Sequence, residues 1–215
     1  KIKYIIIHYT GMKSETGAIK KLINPKSKVS CHYFIKKSGK TINMVPDLYT
    51  SWHAGISFWK KDKLLNSRSI GIEIANPGHE YNYLNFSKNQ IISLISLIKK
   101  LKKKYKIKKQ NVLGHSDVSP LRKKDPGEKF PWKVLAKNKL CHWHKLSKSY
   151  CEKLRNTKCH HQESFFKLLF NFGYFKTDIP IEKYKIVKSF QRHFRPSLVN
   201  GKIDKECYEI LKSLI

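Results

Sequence analysis

Three separated side chains in this sequence have the residue types of a catalytic metal site. His8 ends a β-branched segment, His115 follows a short apolar segment, and Asp125 lies in a loop stiffened by proline and glycine. Two imidazoles and one carboxylate are a common ligand set for catalytic zinc, because they leave a fourth tetrahedral position open for water. Residue type alone does not select these three, since other side chains could serve as ligands. They are His32, His53 and Asp117.

Glu73 is a candidate general base. Strict alternation in residues 69–75 predicts a strand that places Gly71, Glu73 and Ala75 on one face. Because both neighbours on that face are small, space is left beside the carboxylate. A carboxylate there could take a proton from attacking water, a step worth roughly 10²–10⁴-fold in rate. The alternative is a solvent-facing glutamate on a half-exposed sheet.

Lys123 stands two residues before Asp125. If Asp125 binds a metal ion, the ammonium group of Lys123 could lie near it and stabilise an oxyanion. The alternative is a solvated lysine, since 40 of the 45 basic residues are lysines.

The elements that must position these side chains follow from hydrophobic periodicity. Residues 3–9 predict a buried strand, residues 15–24 a short helix, residues 33–45 a hairpin and residues 87–105 a long amphipathic helix. Strands that alternate with helices indicate an α/β fold, with a mixed central sheet flanked by helices.

The chain changes character after Trp132. A polar segment rich in Cys and His precedes three amphipathic segments, which predict a small C-terminal three-helix domain. These predicted helices cover residues 163–172, 181–194 and 204–214. The predicted organisation is a catalytic domain at 1–145, a linker at 146–160 and a helical domain at 161–215.

The five cysteines form no paired framework, because their number is odd. The Cys- and His-rich segment at 141–161 could hold a second metal ion or a disulfide, but it lacks the Cys-x-x-Cys spacing of structural zinc sites. We favour the third interpretation, in which these are ordinary linker residues.

The formal charge of +30 indicates attraction to polyanions, but it does not identify one. Only five of the basic residues are arginines, which argues against specific nucleic-acid recognition. We favour a coding bias towards A and T as the origin of the lysines, with attraction to an anionic polymer or envelope surface as the alternative. No apolar run approaches the roughly 18–20 residues needed to cross a bilayer. Since the chain starts at Lys1, we expect that an upstream segment was removed.

Several short motifs occur together and in a fixed order between residue 2 and about residue 135. They are Ile7-His-Tyr-Thr, Val29-Ser-Cys-His-Tyr, Ser51-Trp-His-Ala-Gly, Asn66-Ser-Arg-Ser-Ile-Gly-Ile-Glu, Gly114-His-Ser-Asp-Val-Ser-Pro and Arg122-Lys-Lys-Asp-Pro-Gly with Phe130-Pro-Trp. In these motifs the chain resembles the zinc-dependent N-acetylmuramoyl-L-alanine amidases, whose fold is shared with bacteriophage lysozyme-amidases and peptidoglycan recognition proteins.

This resemblance implies one zinc ion bound by His8, His115 and Asp125, with Glu73 and Lys123 as catalytic residues. The resemblance implies that His32, His53 and Asp117 do not bind the metal but lie around its ligands or face the substrate. The implied substrate-binding residues are Trp52, His53, Arg68 and His32. The tail segments 187–196 and 200–204 resemble a three-helix peptidoglycan-binding domain.

The sequence therefore predicts a zinc hydrolase that cleaves the bond between N-acetylmuramic acid and L-alanine in peptidoglycan or muropeptides. A non-catalytic peptidoglycan-recognition module is the alternative, and a basic nucleic-acid-binding protein is a third hypothesis that rests on charge alone. We expect a monomer in the bacterial periplasm or cell envelope, with the cytoplasm as the alternative location.

Overall fold

The computed structural model describes residues 1–215. The strands are β1 (Tyr4–Tyr9), β2 (Tyr33–Ile35), β3 (Thr41–Asn43), β4 (Phe58–Trp59), β5 (Asp62–Lys63), β6 (Ser69–Ile74) and β7 (Val112–Gly114). The helices are α1 (Glu15–Ile23), α2 (Lys88–Tyr105), α3 (His115–Val118), α4 (Trp132–Lys137), α5 (Lys148–Leu154), α6 (Gln162–Phe172), α7 (Pro180–Phe194) and α8 (Lys205–Leu214).

The five-stranded sheet has the order β3-β2-β6-β1-β7. β1 pairs in parallel with both β6 and β7, β2 pairs in parallel with β6, and β3 is antiparallel at one edge. The predicted mixed sheet is therefore confirmed. In this register His8 lies opposite Glu73, and Ile7 lies opposite Gly114. The carboxyl ends of β1, β6 and β7 thus meet at one edge, where open parallel sheets place functional groups.

Helix α2 covers one face of the sheet. Ile5 and Ile7 of β1 belong to a buried cluster with Leu94, Ile98 and Leu101 of the helix. The side chain of Ser87 accepts a hydrogen bond from the amide of Gln90, and the side-chain oxygen of Gln90 accepts one from the amide of Ser87. This capping box explains why the helix begins where the sequence predicts. α2 is the longest helix, yet no helix in the structure has the length and apolarity to span a bilayer.

The C-terminal helices cover the other face of the sheet. Tyr4 and Ile6 of β1 belong to one buried cluster with Phe165, Phe190 and Leu211 from α6, α7 and α8. The three predicted helices are confirmed, and they share a core with the sheet. The predicted linker contains α5, whose Cys151 is part of the same cluster. The proposed domain boundaries stay a prediction.

Helix α7 is also hydrogen-bonded to α3, the short turn that begins with a predicted metal ligand. The Ser189 hydroxyl donates to the carbonyl of Ser116 at 2.7 Å. His193 Nδ1 lies 2.6 Å from a carboxylate oxygen of Asp117, whose other oxygen accepts from the hydroxyl of Tyr174 at 2.7 Å. Buried polar groups that are bonded in this way fix the position of the backbone that carries them.

All five cysteines are buried and free, so none forms a disulfide. The Cys- and His-rich segment also contains no group of three side chains whose ligand atoms converge. Cys151 of this segment packs in the cluster shared with the sheet, and the interpretation of the segment as ordinary linker residues stays a prediction.

Because the core is shared, a cavity under α7 should destabilise the whole chain. Phe190→Ala removes a fully buried ring and should lower the free energy of unfolding by about 3–5 kcal/mol. Ile181→Ala on the same helix is the control, since its side chain is 58% exposed and the change should stay within about 0.5 kcal/mol. Urea denaturation followed by fluorescence and circular dichroism would measure both. Two separate transitions would contradict a shared core.

Candidate metal centre

Three side chains converge at the carboxyl edge of the sheet. His8 Nδ1 lies 3.0 Å from His115 Nδ1 and 3.0 Å from an oxygen of Asp125, and His115 Nδ1 lies 3.1 Å from the same oxygen. All three residues are buried. No other set of three His, Cys, Asp or Glu side chains in the structure brings its ligand atoms together in this way.

Secondary-structure elements place the two histidines directly at the carboxyl edge of the sheet. His8 is part of β1, and His115 is the first residue of α3, directly after β7. Since Ile7 pairs with Gly114, the two histidines are neighbours across the strand ends. The amide of Ser116 donates to the carbonyl of Asp125 at 2.8 Å, so the loop that supplies the carboxylate is fixed to the same turn.

A chain of hydrogen bonds fixes the tautomer of His8. The Ser69 hydroxyl donates to the carbonyl of Leu65 at 2.7 Å, so its oxygen can accept from His53 Nε2 at 3.2 Å. His53 Nδ1 then has no proton and accepts from His8 Nε2 at 3.0 Å. The proton of His8 is therefore on Nε2, and the lone pair of Nδ1 points at His115 and Asp125.

His115 reaches the same state independently. Its Nε2 lies 3.0 Å from the carbonyl oxygen of Ala54, which can only accept a hydrogen bond, so Nε2 carries the proton. Both imidazoles thus direct an unprotonated Nδ1 at a carboxylate oxygen. Three lone pairs about 3 Å apart repel one another unless a cation lies between them. The donor set therefore fits a divalent metal ion with nitrogen and oxygen ligands.

Burial controls the charges of these groups. It lowers the pKa of His8 to about 4, and the neighbouring His115 adds to the effect while Asp125 opposes it. Burial also holds the pKa of His53 well below its ordinary value, with His8 and His32 adding to the shift. For Asp125, burial favours the neutral acid, but interactions with the two imidazoles outweigh it and lower the pKa. Near neutral pH the imidazole of His8 is therefore neutral and Asp125 is a carboxylate.

Glu73 lies beside this centre without a partner. No side-chain hydrogen bond involves its carboxyl group, and Oε2 is buried without a donor. Burial raises its pKa well above the usual value and Asp125 adds to the shift, whereas Lys123 opposes it. The sequence predicted free space beside Gly71, but the ring of His53 occupies it. A Cβ atom at position 71 would lie only 2.3 Å from that ring. Glycine is thus required for the hydrogen-bond chain to reach His8.

A cavity of about 340 Å³ opens over the converged side chains and is lined by Glu73, Lys123 and Trp52. Helix α1 and residues 29–30 line it as well. Trp52 lies at the rim of this cavity and is 53% exposed. The ammonium group of Lys123 makes no hydrogen bond or ion pair and is free to interact with a bound molecule. A volume of this size suits a small ligand or one part of a longer one.

Three other candidates from the sequence lie away from this cavity. His32 is fully buried, with Nδ1 accepting from the amide of Gly71 and Nε2 next to the carbonyl of Tyr49, so neither nitrogen is available. Arg68 pairs with Asp62 at 2.7 Å and does not line the cavity. The carboxylate of Asp117 faces α7, as described above, so it does not compete with the three converged groups.

Arg122 also supports the metal centre, a role that the sequence did not predict. Its Nη2 donates to the carbonyl of Ala54 at 2.9 Å and to that of Ile56 at 3.0 Å. The same carbonyl of Ala54 accepts from His115, so Arg122 fixes the loop that orients this imidazole. Its place in the motif next to Lys123 was the only sequence signal.

Comparison with known proteins agrees with this geometry. The family model described as N-acetylmuramoyl-L-alanine amidase matches residues 1–128. The amidase AmiD of Escherichia coli is 34% identical over 232 aligned positions, which cover all of this chain and 83% of AmiD. The 1,6-anhydro-N-acetylmuramyl-L-alanine amidase AmpD of Haemophilus influenzae is 31% identical over 149 positions, or 61% of this chain and 79% of AmpD.

Two solved structures match almost the whole chain. Escherichia coli AmiD in complex with the substrate anhydro-N-acetylmuramic acid-L-Ala-D-γ-Glu-L-Lys superimposes with a TM-score of 0.87 at 33% identity, covering 99% of this chain and 88% of AmiD. AmpDh3 of Pseudomonas aeruginosa in complex with anhydromuramic pentapeptide gives 0.88 at 27% identity, covering 99% and 91%. These matches confirm the predicted fold class and the predicted amidase activity. The chain belongs to the N-acetylmuramoyl-L-alanine amidase family.

Proposed function

We propose that this amidase acts on muropeptides and binds one zinc ion through His8, His115 and Asp125. The bond cleaved joins the lactyl carbonyl of N-acetylmuramic acid to the nitrogen of L-alanine. The observation that carries the proposal is the convergence of two Nδ1 lone pairs and one carboxylate oxygen within about 3 Å. The muropeptide ligands of AmiD and AmpDh3 support the substrate class.

Glu73 moves the proton in this mechanism. Zinc, when bound, would act as a Lewis acid that polarises the lactyl carbonyl group and lowers the pKa of the attacking water. The carboxylate of Glu73 accepts a proton from the attacking water, since it faces the cavity and has no competing donor. The protonated carboxyl group then delivers this proton to the departing nitrogen of L-alanine. One residue thus serves both as base and as acid.

Lys123 stabilises negative charge on the reacting carbonyl oxygen. Its ammonium group lines the cavity and is not held by any acid in the structure. A cation in a partly desolvated cavity is effective where charge develops in the transition state. Trp52 offers an exposed indole face at the cavity rim, against which the sugar ring packs.

His53 orients the metal ligand His8 and does not act on the substrate. Although its ring lines the cavity, both nitrogens are bonded, one to His8 and one to Ser69. His53 Nδ1 accepts a hydrogen bond from His8 Nε2 and so keeps the Nδ1 lone pair of His8 directed at the metal site. Outer partners of this kind orient the ligand and raise its basicity.

The remaining expectations from the sequence stay predictions. They are peptidoglycan binding by the C-terminal helices, a monomeric state and a location in the cell envelope. Sedimentation with sacculi, size-exclusion chromatography with light scattering, and cell fractionation would test them in turn. No observation favours the non-catalytic recognition module or the nucleic-acid-binding protein.

We predict that Glu73→Gln lowers turnover roughly 10²–10⁴-fold, because the amide cannot accept a proton from water. Zinc content should remain near one ion per chain, measured by elemental analysis. Asp125→Asn is the contrasting variant, since it removes a charged ligand and should lose both metal and activity. Normal turnover by Glu73→Gln would exclude Glu73 as the base.

We predict that His53→Phe weakens zinc binding about 10- to 100-fold, because His8 loses the acceptor that fixes its tautomer. Competition with a chelating dye would measure the affinity. His160→Phe is the matched control, because His160 is exposed and distant in sequence from the ligands. If both variants bind zinc as the unaltered protein does, the hydrogen-bond chain has no effect on the ligand.

A further inference from the structure

A second cavity of about 310 Å³ lies between the loop at 120–124 and helix α7. Its lining contains six cationic side chains and no acidic one. They are Arg122, Lys123, Lys124, Lys185, Lys188 and Arg192. Such a cavity repels cations and attracts anions, and its walls reduce the screening of these charges by water. In a chain with 45 basic residues this composition alone does not define a site.

Arg192 gives the independent observation. Its side chain is 90% buried, yet none of its nitrogens donates a hydrogen bond to the protein, and Nε is shielded from solvent without a partner. The nearest acid is Glu128, whose oxygen lies 3.9 Å away, too far for a hydrogen bond. That carboxylate already lies 3.1 and 3.2 Å from His79 Nε2.

A guanidinium group with five donors and no acceptor is costly to bury. By contrast, the buried guanidinium group of Arg195 donates through Nη1 to Asp204 at 2.6 Å. Since Nε is shielded, a ligand in the cavity meets the two terminal nitrogens of Arg192, which also lack an acceptor in the protein. A carboxylate matches its planar fork with two parallel hydrogen bonds.

The second cavity continues from the first. Arg122, Lys123 and Lys124 line both, so a molecule that extends from the metal centre past this loop meets the cationic lining. In a muropeptide the sugar part is uncharged, whereas the peptide carries free carboxylates at γ-linked glutamate and at its end. The anionic part of the substrate is thus the peptide.

We propose that the cleft between loop 120–124 and α7 is an anion subsite in which Arg192 binds a carboxylate of the stem peptide. This proposal rests on the proposed muropeptide substrate. It gives α7 a role in substrate selection, because the helix supplies Arg192, Lys188 and Lys185 to the site. It also predicts that peptides with amidated carboxylates are poorer ligands.

The test compares two peptides, L-Ala-D-γ-Glu-L-Lys with free carboxylates and the same peptide with both carboxylates amidated. Binding is measured by calorimetry on the full chain at about 0.15 M salt, where non-specific attraction is screened. The free acid should bind about 10- to 100-fold more tightly than the amide. Arg192→Met should remove most of this difference.

The matched control is Lys183→Met. It removes one positive charge from the same helix, but Lys183 pairs with Asp178 and lines a different cavity. This variant should keep the preference for the acid, which separates a specific site from net charge. If Arg192→Met does not fold, Lys188→Met is the second variant and should reduce the preference by a smaller factor. Retention of the full preference by the folded cleft variant would overturn the proposal.

Two further measurements separate the remaining outcomes. Inorganic phosphate is titrated as a second probe, and binding that needs Arg192 for phosphate but not for the peptide would overturn the assignment to stem carboxylates. Turnover of the corresponding muropeptides is measured separately, with the preference expected in KM rather than kcat. Absence of turnover with intact peptide discrimination would reject the proposed substrate and leave the anion subsite standing.

Discussion

The repulsion among three lone pairs is the constraint on which the rest of the structure depends. His8, His115 and Asp125 are brought together by strand register and by one backbone hydrogen bond, not by attraction to one another. Protons that could relieve the repulsion are committed elsewhere, to His53 and to the carbonyl of Ala54. For the proposed zinc site, the fold thus holds the three donor atoms in place, which would reduce the reorganisation that metal binding requires.

The C-terminal helices are part of this arrangement. They cover the face of the sheet that carries Tyr4, Ile6 and, at its carboxyl end, His8. Through Asp117 and Ser116 they also hold the turn that begins with His115. A unit that resembles a peptidoglycan-binding domain in sequence thus contributes to the core beneath the site. These contacts are compatible with wall binding, because they use the inner faces of the helices.

Local patterns predicted the elements well because their signals lie within a few residues. The capped, periodic α2 and the β-branched β1 are examples. The role of His53 could not be read in this way, since it depends on Gly71 of another strand leaving space for its ring. Helix α5 was missed because its polar sequence has one buried residue, Cys151, and becomes a helix by packing on α8. Amphipathic faces likewise predict helices without naming the surface that they cover.

The side chains of the site fall into two groups, those that are held by hydrogen bonds and those that have no hydrogen-bond partner. The Nε2 atoms of His8 and His115 and both ring nitrogens of His53 are hydrogen-bonded, which suits groups that must keep one orientation. Glu73 and Lys123 have no hydrogen-bond partner, and for the buried Oε2 of Glu73 the missing partner costs about 1–3 kcal/mol. A group that must gain and lose a proton, or meet charge only in the transition state, would be hindered by a permanent hydrogen bond. In the proposed mechanism, the unpaired carboxyl group of Glu73 and the free ammonium group of Lys123 therefore meet the physical requirements of proton transfer and of oxyanion stabilisation.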